Sequence, residues 1–203
     1  MKTRLFTTAF SVLLMASMAH AQTRPRANAP VLPEGTKISK DVKYVKDGSK
    51  AQTLDLLVPP HEKPLPLVVW IHGGGYVMGD IEQDDRLMKQ LVKRIGCVAV
   101  SVDYRLPPEH PFPAPVEDCY AALTWLASQS AALGINTARI AIGGASAGSG
   151  LAAGLALLTR DRAEVDVAFQ LLIYPMLDDR TIAPATATVP DTLVWTRDNN
   201  RMG

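Results

Sequence analysis

The pentapeptide Gly144-Ala145-Ser146-Ala147-Gly148 lies between an apolar run, Arg139 to Ile142, and a segment of helical character, Leu151 to Leu158. A serine between two glycines at a strand-to-helix junction restricts the fold, because only a sharp, strained turn leaves its side chain exposed there. Side chains at 144 and 148 would obstruct the approach of strand to helix, and glycine avoids this. A glycine-rich helix start capped by Ser146 is the alternative reading. A second motif bears on the choice. His72-Gly73-Gly74-Gly75-Tyr76 directly follows the continuous apolar run Leu65 to Ile71. Three glycines let a backbone lie against a carbonyl group with its N–H groups turned inward, and Ala147, after the serine, would add another. Taken alone, the triplet could also be a flexible loop. The sequence has neither the dinucleotide nor the P-loop glycine pattern.

Around these motifs the chain alternates. Asp41 to Val45 and Thr53 to Val58 read as two strands joined by a turn at Lys46-Asp47-Gly48-Ser49. Leu87, Leu91, Val92 and Ile95 recur at helical spacing before a stop at Gly96. Val98 to Val102 and Val167 to Tyr174 are further strands, and Val116 to Leu126 a further helix. Continuous apolar strands alternating with helices predict an α/β fold, a mostly parallel sheet with helices on both faces.

Residues 1–21 read as a signal peptide: Lys2 and Arg4, then the apolar stretch Leu5 to Met18, then Ala19-His20-Ala21 before Gln22. That predicts an exported product, periplasmic or secreted. Residues 22–40 read as an extended lead-in, 41–203 as the domain, with a cap-like region beginning at 178. Without Lys2 and Arg4 the 21 basic and 20 acidic residues become almost balanced, so neither nucleic acid nor an anionic membrane is expected as partner. After the signal no apolar run is long enough to span a bilayer. Cys97 and Cys119 each lie in apolar runs, as buried free thiols would, and their spacing suits no metal. Neither composition nor motif indicates an oligomeric state.

A serine nucleophile needs a base within hydrogen-bond reach. The four histidines, His20, His61, His72 and His110, all precede Ser146. In this arrangement the expected chain order is serine, acid, histidine, so neither His72 nor His110 is expected to be the base.

Three stretches together resemble the hormone-sensitive-lipase-like branch of the α/β-hydrolase esterases. They are the His72–Tyr76 motif, Asp103-Tyr104-Arg105-Leu106-Pro107-Pro108-Glu109-His110-Pro111-Phe112-Pro113-Ala114, and Gly144–Gly148. Ala145 and Ser149 depart from the pattern of many members. The resemblance implies a serine carboxylic ester hydrolase acting on short or medium acyl esters without metal or organic cofactor. Ser146 would carry the acyl group, with Gly73, Gly74, Gly75 and Ala147 as the oxyanion hole. His72, Arg105 and Glu109 would be structural supports, the last two tying their loop to the glycine loop. It also implies further strands, carrying the triad acid and histidine, that are not in this sequence. The fold is then expected to lack its last strands and helices, leaving Phe169–Ile173 as an unpaired edge, and the chain to be inactive alone. Two other readings remain open: a non-catalytic domain that binds esters or other small molecules through a retained oxyanion loop, and an enzyme completed by another chain.

Overall fold

Six strands form one mixed sheet in the computed structural model, which describes residues 29–178. The strands are β1 (Lys37–Lys43), β2 (Thr53–Val58), β3 (Leu65–Ile71), β4 (Val98–Asp103), β5 (Ile135–Ala145) and β6 (Phe169–Ile173). The helices are α1 (Asp85–Ile95), α2 (Ala114–Ser128), the single turn α3 (Ser130–Leu133) and α4 (Ala147–Arg162), with a 3-10 turn at Ile81–Asp84 ahead of α1. Across the sheet the order is β1-β2-β4-β3-β5-β6. The β4–β3, β3–β5 and β5–β6 pairs are parallel, and the two pairs involving β2 are antiparallel. The signal peptide read in residues 1–21 and the cap-like region beyond residue 178 lie outside the described residues.

Strand alternation divides the core into two layers. Leu67, Val69 and Ile71 of β3, with Val98, Val100 and Val102 of β4, face one side of the sheet. There they meet Cys119, Leu123 and Leu126 of α2 and Leu151, Ala152 and Leu155 of α4. Trp70 and Ala99 face the other side and pack on Met88 and Val92 of α1. The Trp70 indole also donates to Asp84 Oδ2 at 2.8 Å, fixing the entry to α1. The helix ends at Gly96, whose left-handed φ of 66° favours a residue without a Cβ. Cys97 and Cys119 are both free and buried, and burial raises both thiol pKa values, that of Cys97 to about 11. No helix among the described residues is long and apolar enough to cross a membrane.

Several boundaries differ from expectation: β5 begins at Ile135, four residues ahead of the apolar run, and two further shifts, in β1 and α4, have clear local causes. The first strand begins at Lys37, inside the stretch read as lead-in. Most of its residues are exposed, so no apolar alternation marks it. Its register shifts between Ser39 and Val42, where Asp41 has φ 54° and its N–H is taken by Asp55 Oδ1 at 3.0 Å. The helix that follows Ser146 begins at Ala147, a turn ahead of Leu151. Its first turn, Ala147-Gly148-Ser149-Gly150, has weak intrinsic helix preference and is held by packing instead. Among the described residues β6 is a sheet edge. Phe169 and Leu171 on it are exposed among these residues.

Candidate active site

Ser146 is the one residue between β5 and α4, at φ 55°, ψ −121°. A residue with a Cβ reaches this region only when its surroundings hold it there. Here every backbone group of Ser146 is held. Its N–H donates to Ile173 O at 3.0 Å, while its carbonyl accepts from Gly150 N–H at 3.1 Å and Met176 N–H at 3.3 Å. Ser149, fully buried, adds a second tie. Its hydroxyl accepts Ile173 N–H at 2.8 Å and turns its proton between the carbonyls of Gly144 and Ile173. The turn is thus braced by the end of β6.

The flanking glycines are required by contact. A Cβ at Gly144 would stand 2.6 Å from Ile71 O, and one at Gly148 would overlap that carbonyl and lie 2.5 Å from His72 O. Backbone cannot yield as a side chain can. Gly148→Ala is therefore expected to destabilise the fold by about 3 kcal/mol. Two turns further along α4, Gly154 has the opposite character: a Cβ there would meet only Val116 Cγ2 at an ordinary 3.6 Å. Gly154→Ala is expected to stabilise by about 0.5–1 kcal/mol, because it removes backbone freedom inside a helix. Denaturant melts of the two variants check the pair, and equal effects would contradict it.

The glycine loop leaves β3 against this turn. A Cβ at Gly73 would lie 3.6 Å from Ser146 Cβ and 2.7 Å from Ala145 O. Gly74, Gly75 and Tyr76 follow at φ 135°, 60° and 67°, and Gly74 O accepts from Val77 N–H and Met78 N–H. Gly73 O accepts from His72 Nδ1 at 3.0 Å and Gln83 Nε2 at 3.3 Å. Because the peptide is planar and trans, holding that carbonyl directs the next N–H, of Gly74, the opposite way. A carbonyl can only accept, so His72 carries its proton on Nδ1. The ring is buried and stacks on Tyr104 at 4.3 Å between centroids, and its Nε2 has no partner among the described residues. Burial lowers its pKa, so the ring is neutral.

His72 thus anchors the glycine loop, in the place the sequence reading gave it, but the roles of Arg105 and Glu109 need correction. The Arg105 guanidinium meets Asp118 of α2, Nε to Oδ2 at 2.8 Å and Nη2 to Oδ1 at 2.7 Å. Its own backbone N–H adds a bond to Oδ2 at 3.0 Å, and Gln52 Nε2 donates to Oδ1 at 2.8 Å. Glu109 is exposed and takes no part. By position 105 the chain has already left β4 to run over the start of α2, so the tie to the glycine loop falls to the preceding residue. Tyr104, buried, donates from its hydroxyl to His72 O at 2.9 Å. Tyr104, Gln83, Asp118 and Ser149 are supports that motif reading missed. An aspartate within the apolar run Val116 to Leu126 was the one available signal, since a buried charge requires a partner.

Ser146 Oγ makes no hydrogen bond with any described residue. His61 lies at the far end of the sheet, with Nδ1 against Pro59 O and its ring beside Gly134, ahead of β5. Among the described residues no group of side chains could hold a metal ion.

One acid near the site carries a pH signature. Burial, and then the like charges of Asp41, Asp80, Asp55 and Asp118, push Asp103 from 3.8 up to about 6. The folded state then holds this proton more tightly than the unfolded state, so stability falls as pH rises from about 4 to about 6. Asp103→Asn should flatten the pH dependence of the melt across that window. An unchanged slope would assign it to other groups.

A family model described as alpha/beta hydrolase fold matches residues 68–203. The carboxylesterase NlhH of Mycobacterium tuberculosis is 35% identical over 195 residues, which is 95% of this chain and 60% of the relative. The esterase LipI of the same organism is 44% identical over 116 residues, 57% of this chain and 36% of the relative. Among solved structures, a bacterial heroin esterase superposes with a TM-score of 0.74 at 35% identity, covering 96% of this chain and 59% of that one. The chain therefore spans at most about 60% of the length of these relatives.

Proposed function

Because the chain belongs to the α/β-hydrolase fold family, in its hormone-sensitive-lipase-like esterase branch, we propose that it carries the acyl-accepting half of a serine carboxylic ester hydrolase. The observation that carries the proposal is Ser146 at φ 55°, ψ −121°, with the Gly73 backbone against it and the N-terminus of α4 beneath it. Ser146 Oγ, as its proton leaves, attacks the ester carbonyl carbon. The carbonyl oxygen takes up the negative charge and is met by N–H groups of the glycine loop (Gly73, Gly74, Gly75) and of Ala147. Each such donor contributes on the order of 10²–10³ in rate, and the helix N-terminus favours the same charge. Collapse of the intermediate expels the alcohol, which takes a proton, and leaves the acyl group on Oγ. Water then repeats the attack, loses a proton and releases the acid.

Each of those proton transfers calls for a base at Oγ. His72 Nδ1 is committed to Gly73, and no histidine follows Ser146 in the 203 residues. The reading therefore assigns this chain the nucleophile and the anion-stabilising groups, and leaves proton transfer to a histidine that these residues do not contain. The substrate class is a small-molecule ester, here with a short or medium acyl group, and no step calls for a cofactor.

Butylboronic acid tests the half-site without turnover and without a protein base, since a serine oxygen that gives its proton to the buffer adds to boron and forms a tetrahedral anion that mimics the intermediate. Boron-11 NMR is expected to show a saturable tetrahedral signal that Ser146→Ala removes. No signal with the unaltered chain, or one that survives the substitution, would overturn the reading.

A further inference from the structure

A cavity of about 660 Å³ opens one helical turn beyond Ser146, between α4 and the start of α2. Ser146 does not line it, but the two are joined through shared residues. Met176, whose N–H binds Ser146 O, and Gly150, whose N–H binds the same oxygen, both form its upper wall. Tyr76, the end of the glycine loop, closes that wall by donating from its hydroxyl to Met176 O at 2.8 Å. From there the cavity follows α4 down to Gly154 and Leu158.

Resting on the ester-hydrolase reading above, we propose that this cavity receives the uncharged alkyl or aryl arm of the substrate, and that Gly154 sets how long an arm it admits. Three observations carry this. First, the volume is that of a small-molecule site. Second, its chemistry excludes an ionic occupant. Among the described residues no lysine, arginine or histidine lines it. The Glu117 carboxylate is already held at both oxygens by Arg162 at 2.9 and 2.6 Å. The Tyr76 hydroxyl is spent on Met176, and Asp178 has a partner of its own. What remains is apolar: prolines, Val116, Leu151, Leu158 and Met176.

Third, the floor is shaped by two glycines four residues apart on one face of α4. At Gly150 a Cβ would overlap the Tyr76 hydroxyl, so glycine there is fixed by packing. At Gly154 no such need exists, since a Cβ would touch only Val116 Cγ2 at 3.6 Å. Glycine at 154 costs the helix stability and leaves space in the cavity, about 12 Å along the helix axis from Ser146. A larger side chain would project into that space and shorten the channel.

The test compares 2-pentanone with 2-nonanone, uncharged ester isosteres that need no reaction at Ser146, by calorimetric titration. Each buried methylene is worth about fourfold in affinity. The unaltered chain is therefore expected to bind the longer ketone at least about 30-fold more tightly. Gly154→Phe is expected to bring that ratio within about threefold by filling the channel. Gly154→Ala, which fits without displacement and should melt no lower than the parent, is expected to lower the ratio about threefold. It keeps the test open if the phenylalanine variant misfolds. A ratio near one in the unaltered chain overturns the proposal, as does a ratio unchanged in folded Gly154→Phe or in Gly154→Ala. The boronate experiment reads Ser146 separately. A lost adduct with an intact ketone ratio removes the ester reading alone, and an intact adduct with a flat ratio removes only this site.

Discussion

Assayed by itself, the 203-residue chain is expected to hydrolyse 4-nitrophenyl butyrate about 10⁶-fold more slowly than a serine hydrolase with its base in place. On the reading proposed above, Ser146 is placed to attack: it is set at its strained turn and the Gly73 backbone lies alongside. Proton removal is not provided for. Oγ has no described hydrogen-bond partner, the His72 ring is turned to the Gly73 carbonyl, and burial keeps that ring neutral. An alcohol that keeps its proton is a poor nucleophile, so Ser146→Ala should change the residual rate by less than about threefold. The measurement is initial rate against protein concentration for both forms. Rapid hydrolysis abolished by Ser146→Ala would mean that a base does reach Oγ. An ester that binds saturably without turnover would instead favour a binding domain.

Removing the carboxylate of Asp118 is expected to cost about 3–5 kcal/mol, the loss typical of a buried ion pair deprived of one partner. Asp118 is 2% exposed and accepts four hydrogen bonds, three from Arg105 and one from Gln52. In Asp118→Ala the guanidinium stays beside α2 with nothing to neutralise it, and the Gln52 amide, itself buried, loses its acceptor. The chain leaving β4 would come free of α2, and Tyr104, one residue earlier, bears directly on His72. A melting temperature lower by on the order of 10 °C is the expected reading. A loss below about 1 kcal/mol would place this pair with ordinary surface bridges.

Strands buried on both faces were legible because continuous apolar residues leave few alternatives. Leu65–Ile71 matches β3 at both ends, and Val98 to Val102 falls one residue short of β4. The polar β1 was not legible, since an exposed edge strand bears no mark of which residues pair with β2. Within the site, the motifs located Ser146 and the glycine loop because both depend on glycines whose Cβ atoms would collide with backbone. The partners of charged residues were another matter. Arg105 could reach several acids, and only the path of the chain over α2 selects Asp118 and leaves Glu109 in solvent. Ser149 stood out in the sequence only as a departure from the family pattern. Its three bonds to Gly144 and Ile173 appear only once β6 lies beside β5.

Ile173 belongs to the outermost strand of the described sheet, yet it takes the N–H of Ser146 and exchanges two bonds with Ser149. The backbone hold on the serine is consequently borrowed from the margin of the described sheet and not from its centre. Whatever lets β6 fray releases the turn, and the Ser146 amide proton should then exchange with solvent at the rate of the β6 amides, although it sits next to the most buried strands. Conversely, anything that fastens onto that margin would tighten the serine from a distance, without touching it.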